Sequence, residues 1–143
     1  MGVEYVLFER LAELSTRFKP IGRSLGLGRH TFKIESSFAP RYEKALKENG
    51  LEGKRFDYLQ DDGYYETLMR KMGFGEMESM DFSDYEGATI IHDLSKPVSD
   101  DLEEQFDFIF DGGTLEHVFN VPVALENVFR MLKPGGRFVS ANG

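Results

Sequence analysis

The stretch that most constrains this chain is FDFIFDGGTLEHVFNVPVALENVFRMLKPGGRFVSAN, from Phe106 to Asn142. Phe106 to Phe110 is a short apolar, aromatic run that suits a strand buried on both faces. Asp111-Gly112-Gly113 ends it with a carboxylate and a permissive backbone. Asn120 has the side chain of an N-cap, and Pro122 suits the first helical turn. Leu125, Val128, Phe129 and Leu132 then recur at helical spacing. Lys133-Pro134-Gly135-Gly136 stops the helix, and Arg137 to Ala141 starts the next strand. Strand, helix and strand in this order make a parallel βαβ crossover. Ligands of open α/β sheets sit beyond the carboxyl ends of the strands, so chemistry is expected from Asp111 to Val118.

The preceding residues alternate in the same way. Val3 to Phe18 reads as a helix with an apolar stripe of Val3, Leu7, Leu11, Leu14 and Phe18. That stripe packs on the sheet or, in the sharper reading, forms a dimer helix, and Pro20 ends the segment. Arg23 to Arg29 reads as a strand entering a glycine turn. Helices are expected over Phe38 to Asn49 and Asp61 to Met72, the latter with Tyr64, Tyr65, Leu68 and Met72 at helical spacing. Glu78 to Met80 leads as a strand into Asp81, and Ala88 to His92 leads into Asp93. Pro97 to Glu104 is a turn or short helix. Strands alternating with helices imply a three-layer α/β sandwich on a mostly parallel sheet.

At 143 residues the chain is sized for one domain, and its 41% hydrophobic and 29% charged residues are ordinary for a globular protein. The net charge of −8 argues against a phosphate backbone as the main partner, so no nucleic acid is expected. The absence of cysteine excludes disulfides and thiolate metal sites. His30, His92 and His117 have no metal-binding spacing, so no metal is expected. No apolar run approaches the ~20 residues of a membrane span, and the first residues lack the pattern of a signal peptide. The default location is therefore cytoplasmic.

The terminal unit also resembles a family. A strand ending in an acid, then LEHV, a helix with AL-N--RMLKPGGRF and a following strand resemble the second half of a class I S-adenosylmethionine-dependent methyltransferase. The resemblance implies a Rossmann-like fold with strand order 3-2-1-4-5, and S-adenosylmethionine as cofactor. It places an N-terminal helix over residues 1–20 and a methyltransferase-like domain over 21–143. It also implies site residues. Asp81 stands where the family places an acid for the ribose hydroxyls. Asp93 corresponds to an acid near the adenine amino group, and Leu94 to a cover for the adenine face. Gly28 lies in the family's first glycine turn, which here reads Gly26-Leu27-Gly28-Arg29-His30. Arg29 and His30 replace the small residues common there. Asp111 and Gly112 lie where the family faces the reacting methyl, Asp111 holding the donor's ammonium or a substrate group. His117, beside Glu116, is the candidate general base or, equally, a residue that anchors its loop. For each acid the plain alternative is turn chemistry.

A dinucleotide fingerprint fits less well, because Thr31 stands where a third glycine is needed. Asp81 also falls far beyond the ~20 residues of such a unit. The expected activity is methyl transfer to an unidentified acceptor of small-molecule or glycan type. The alternative is a degenerate, non-catalytic domain that binds a partner. The resemblance stops in or just after strand five, which implies a domain truncated there. An uncovered fifth strand would pair with another chain, so a homodimer is expected.

Overall fold

The computed structural model describes residues 2–20 and 22–142. Five parallel strands form one sheet in the order β3-β2-β1-β4-β5. They are β1 (Ser24–Leu27), β2 (Met77–Asp81), β3 (Ile90–Ile91), β4 (Phe106–Asp111) and β5 (Leu132–Ser140). The helices are α1 (Tyr5–Ser15), α2 (Ala39–Glu48), α3 (Glu66–Met72) and α4 (Val121–Met131). The central strand β1 sets Leu27 beside Met80 of β2 and Asp111 of β4. The expected order and Rossmann-like architecture are those observed.

Both faces of the sheet are covered, which is why β4 is apolar on both sides. Phe108 and Phe110 join one core with α1, α2 and α3. Phe106 and Ile109 join a second core with α4, Leu25 and Leu27. On the first face Phe8 stacks on Phe32 at 5.6 Å, and Phe74 on Phe108 at 5.1 Å. Burying one such ring stabilises the fold by about 1.5–3 kcal/mol.

Several elements differ from the sequence expectation. In α1 the buried face is Phe8, Leu11, Ala12 and Ser15. Leu7, Leu14 and Phe18 pack at its margins, and Val3 is buried ahead of the helix. Ser15 can face inward because its hydroxyl donates to the Ala12 carbonyl at 2.7 Å. The segment from Asp61 becomes α3 only at Glu66, because Asp61-Asp62-Gly63 forms a turn whose Gly63 has φ +79°. In α4 the buried face is Ala124, Asn127, Val128 and Met131, which leaves Leu125 and Phe129 exposed.

Leu132 already begins β5. Its pairing with Phe106 is followed by Arg137 opposite Phe108, so Lys133 to Gly136 form a bulge inside the strand. Gly135 takes φ +81° there with open space around it. The four residues expected to separate helix from strand thus lie within the strand.

Candidate functional site

A cleft of about 380 Å³ opens at the carboxyl end of the sheet. One wall is the end of β2, with Met80, Asp81 and Phe82. A second is the segment after β3, with His92, Asp93, Leu94 and Ser95. The third is the loop after β4, with Thr114, His117, Val118 and Phe119. Asp81, Asp93, Leu94 and His117 are therefore brought together, whereas Gly28, Asp111 and Gly112 are not among its lining residues.

Each acid on the cleft is held by its own backbone. Asp81 Oδ1 accepts from the Phe82 amide at 2.7 Å, and the His92 amide donates to the Asp81 carbonyl at 2.8 Å. Asp93 Oδ1 accepts from the Ser95 amide at 2.9 Å, an Asx-type turn. Both carboxylates thus keep their second oxygen for another donor. Leu94 is buried and shares the second core, so its exposed edge forms an apolar wall.

The loop carrying Asp93 and Leu94 is fixed by a residue that sequence reading missed. Asn127, buried in α4, donates to the Leu94 and Lys96 carbonyls at 3.1 and 2.8 Å and accepts from the Val98 amide at 2.9 Å. A polar residue on the buried stripe of a helix was the available signal. The cleft mouth is formed by exposed groups. His117 has 72% of its side chain in solvent, with Nε2 3.8 Å from Glu116 Oε1. Phe82 and Phe119 are 73% and 99% exposed.

Asp111 requires a correction. It is fully buried, and both of its oxygens are taken. Oδ1 accepts from the amides of Gly113, Thr114 and Leu115 at 3.2, 2.7 and 3.2 Å. Oδ2 accepts from Ser140 Oγ at 2.9 Å and Asn142 Nδ2 at 2.5 Å. A carboxylate so committed organises the loop after β4; it has no oxygen left for a donor's ammonium or a reacting substrate. Gly112 is also corrected. The space a side chain would take there is bounded by Phe110 and by the His30 ring, about 3.1–3.2 Å away. Its close approach serves packing, and Gly112 instead lines a separate recess of about 310 Å³ with Glu4, Leu7, Arg10 and Ala141.

Gly28 lies just behind the cleft. Its φ is +78°, and a Cβ there would stand 2.6 Å from Thr114 Oγ1. The Thr114 hydroxyl donates to the Leu27 carbonyl at 2.6 Å, closing the loop after β4 onto the glycine turn. Arg29 turns away from the cleft. It pairs with Glu66 at 2.5 Å and Asp62 at 2.9 Å and lies over the Tyr64 ring at 3.9 Å. His30 is buried, with Nε2 3.1 Å from the Leu27 carbonyl oxygen. Burial pushes its pKa below the ordinary value.

Among the described residues, no three His, Asp or Glu side chains are grouped to hold a metal ion. No helix among them is long and apolar enough to cross a membrane.

Residues 31–141 match the model of a family described as a methyltransferase domain. Among solved structures, the chain is similar to the trans-methyltransferase CalH in complex with SAH, at 18% identity and a TM-score of 0.46. The match covers 91% of this chain and 34% of that one, so this chain spans about a third of CalH's length. No curated protein matches the chain.

Proposed function

Because this chain belongs to the methyltransferase domain family, we propose that it transfers a methyl group from S-adenosylmethionine to an acceptor of the small-molecule or glycan class. The observation that carries the reading is the pair of half-committed carboxylates, Asp81 and Asp93, on one partly apolar cleft. A volume of about 380 Å³ suits the adenosyl half of the cofactor. Asp81 Oδ2 would accept from the ribose hydroxyls and Asp93 Oδ2 from the adenine amino group, while Leu94 and Val118 supply apolar walls. An ionised carboxylate accepts only, so both acids match hydroxyl and amino donors and disfavour phosphate.

When bound, S-adenosylmethionine supplies an electrophilic methyl on a cationic sulfur, with a neutral thioether as leaving group. The protein's part is then alignment and exclusion of water, which can supply much of the rate. His117, exposed at the cleft mouth, would take a proton from an acceptor whose nucleophile carries one. An acceptor that is already a lone-pair nucleophile needs no base.

One observation favours the second reading, a partner-binding domain that no longer takes the cofactor: the Thr114–Leu27 hydrogen bond closes the glycine turn. Calorimetric titration of the whole chain with S-adenosylhomocysteine and with NAD separates the two. Heat with S-adenosylhomocysteine and none with NAD is expected. Absence of heat with S-adenosylhomocysteine at millimolar concentration would overturn the enzyme reading in favour of the second.

A further inference from the structure

We infer that the recess between the N-terminal segment and α2 is a binding site for a planar aromatic carboxylate. The further step, that this ligand is the docking end of the methyl acceptor, rests on the methyl-transfer reading above. The recess encloses about 600 Å³ and is lined by three aromatic residues, Tyr5, Phe38 and Tyr42. The Tyr5 and Phe38 rings lie parallel with centroids 6.1 Å apart, and Tyr42 meets Tyr5 edge-on at 5.3 Å. Tyr42 is 2% exposed, and its hydroxyl has no hydrogen-bond partner among the described residues. Buried polar groups without partners are rare in folded proteins, and this one belongs to a side chain that lines a cavity. Burial, with Glu35 and Glu4 nearby, pushes the Tyr42 pKa up, so the hydroxyl keeps its proton and can donate.

Charge selects the sign of the ligand. Arg41 and Lys33 line the recess and form no ion pair among the described residues. Arg29 and Arg55, by contrast, each hold a carboxylate. The Arg41 guanidinium lies over the Phe38 and Tyr5 rings, 5.3 and 5.8 Å from their centroids. A guanidinium so placed offers paired N–H donors that match a carboxylate. It also occupies ring faces that a cationic ligand would need. Glu4 and Glu35 stand on the same lining, and neither side chain caps the helical turn it precedes. Two carboxylates against two cations leave the lining near neutral. That balance suits a monoanion and disfavours a doubly charged phosphate.

Position connects this site to the cleft. Gly2, Glu4 and Val6 line both this recess and the smaller one that reaches Gly112 and Ala141. Those two residues lie just past the carboxyl ends of β4 and β5. Farther along the loop after β4, Thr114 and His117 line the cleft. A molecule anchored at Arg41 can therefore run along the Gly2–Val6 segment to one side of that loop, while the cofactor occupies the other.

The test titrates the whole chain calorimetrically with naphthoate, naphthylmethylamine and glucuronate. Naphthoate should bind. The amine has the ring with the opposite charge, and glucuronate has the carboxylate without the ring; each should bind about tenfold more weakly or not at all. Arg41→Gln should weaken naphthoate about tenfold or more, because hydrogen bonds to a charged group are lost. Lys44→Gln, exposed on the same helix, should change its affinity less than about twofold. Tyr42→Phe should also weaken naphthoate, yet melt no lower than the unaltered chain, because its hydroxyl has no partner in the fold; if it does melt lower, Arg41→Gln carries the test. Saturating S-adenosylhomocysteine should leave naphthoate bound. Absence of naphthoate binding, equal binding of either other ligand, an unaffected Arg41→Gln, or displacement by S-adenosylhomocysteine each overturns the assignment. If naphthoate behaves as expected and S-adenosylhomocysteine does not bind, the site stands and the methyl-transfer reading alone fails.

Discussion

At the scale of single residues, Asp81 and Asp111 look alike in sequence and differ in what their oxygens do. Asp81 spends one oxygen on its neighbour's amide, whereas Asp111 spends both on the fold. Asp81→Ala should therefore weaken S-adenosylhomocysteine binding by about 1.5–3 kcal/mol, the worth of hydrogen bonds to a charged group. Asp84→Ala, at an exposed position in the same loop, should leave affinity within about 0.5 kcal/mol. Glu78 is no such control, since it holds Arg23 through two bonds at 2.7 and 2.8 Å. Equal losses at Asp81 and Asp84 would reduce Asp81 to a turn residue. His30 has a consequence for pH. Its folded-state pKa is lowered by burial, so the unfolded chain binds the proton first as pH falls. The stability from its neutral form is full above the ordinary value of 6.5 and is lost as pH falls from there toward the lowered folded value. Urea midpoints between pH 7.5 and 5.5 should fall less in His30→Gln than in the unaltered chain. Parallel slopes would remove His30 from the acid sensitivity.

At the scale of elements, α4 distinguishes apolar residues that hold the fold from those that do not. Val128→Ala, on the buried face, should cost about 2 kcal/mol or more, because methyl groups are lost and a cavity remains. Phe129→Ser, 81% exposed, should stay within about 0.5 kcal/mol in the same denaturation experiment. The reverse ranking would place the wrong face of α4 on the sheet. Sequence alone revealed α4 but not its orientation, since Leu125, Phe129 and Ala124, Val128 offer two competing helical stripes. Similar limits apply elsewhere. The strand end before Asp93 was legible from Ile90 and Ile91, whereas Asp81 follows the mixed Glu78-Ser79-Met80 and was legible mainly through the family resemblance. The commitment of Asp111 was not, because it depends on three following amides and on the Ser140 and Asn142 side chains far along the chain. Tyr65 was legible only as a helical apolar position, because Gly26, where a Cβ would collide with the Tyr65 hydroxyl, lies in β1. The β5 bulge was hidden because Lys-Pro-Gly-Gly has the composition of a helix stop whether or not the strand has already begun.

At the scale of the whole molecule, β4 contributes side chains to both cores. Neither layer can be removed without exposing its phenylalanines, which predicts a single cooperative unfolding transition. The chain provides two independent probes. It has no tryptophan, and Tyr42, Tyr58 and Tyr65 all lie buried in the α1–α3 core. Tyrosine signals therefore follow one face, while far-ultraviolet dichroism also follows α4 on the other. The two should give the same urea midpoint. A separate, earlier transition by dichroism alone would mean that the α4 layer melts independently.

The five hydrogen bonds accepted by Asp111 tie the loop after β4 to the end of β5, beside the backbone pairing of Asp111 with Ser140. The loop after β4 forms one wall of the cleft, Ser140 ends β5 and Asn142 lies just beyond it. Amides at Gly113, Thr114 and Leu115 should consequently exchange with deuterated solvent as slowly as those of a strand, although they belong to a loop. Replacing Ser140 with alanine should accelerate exchange at those three amides, a disturbance transmitted through one carboxylate to the cleft wall.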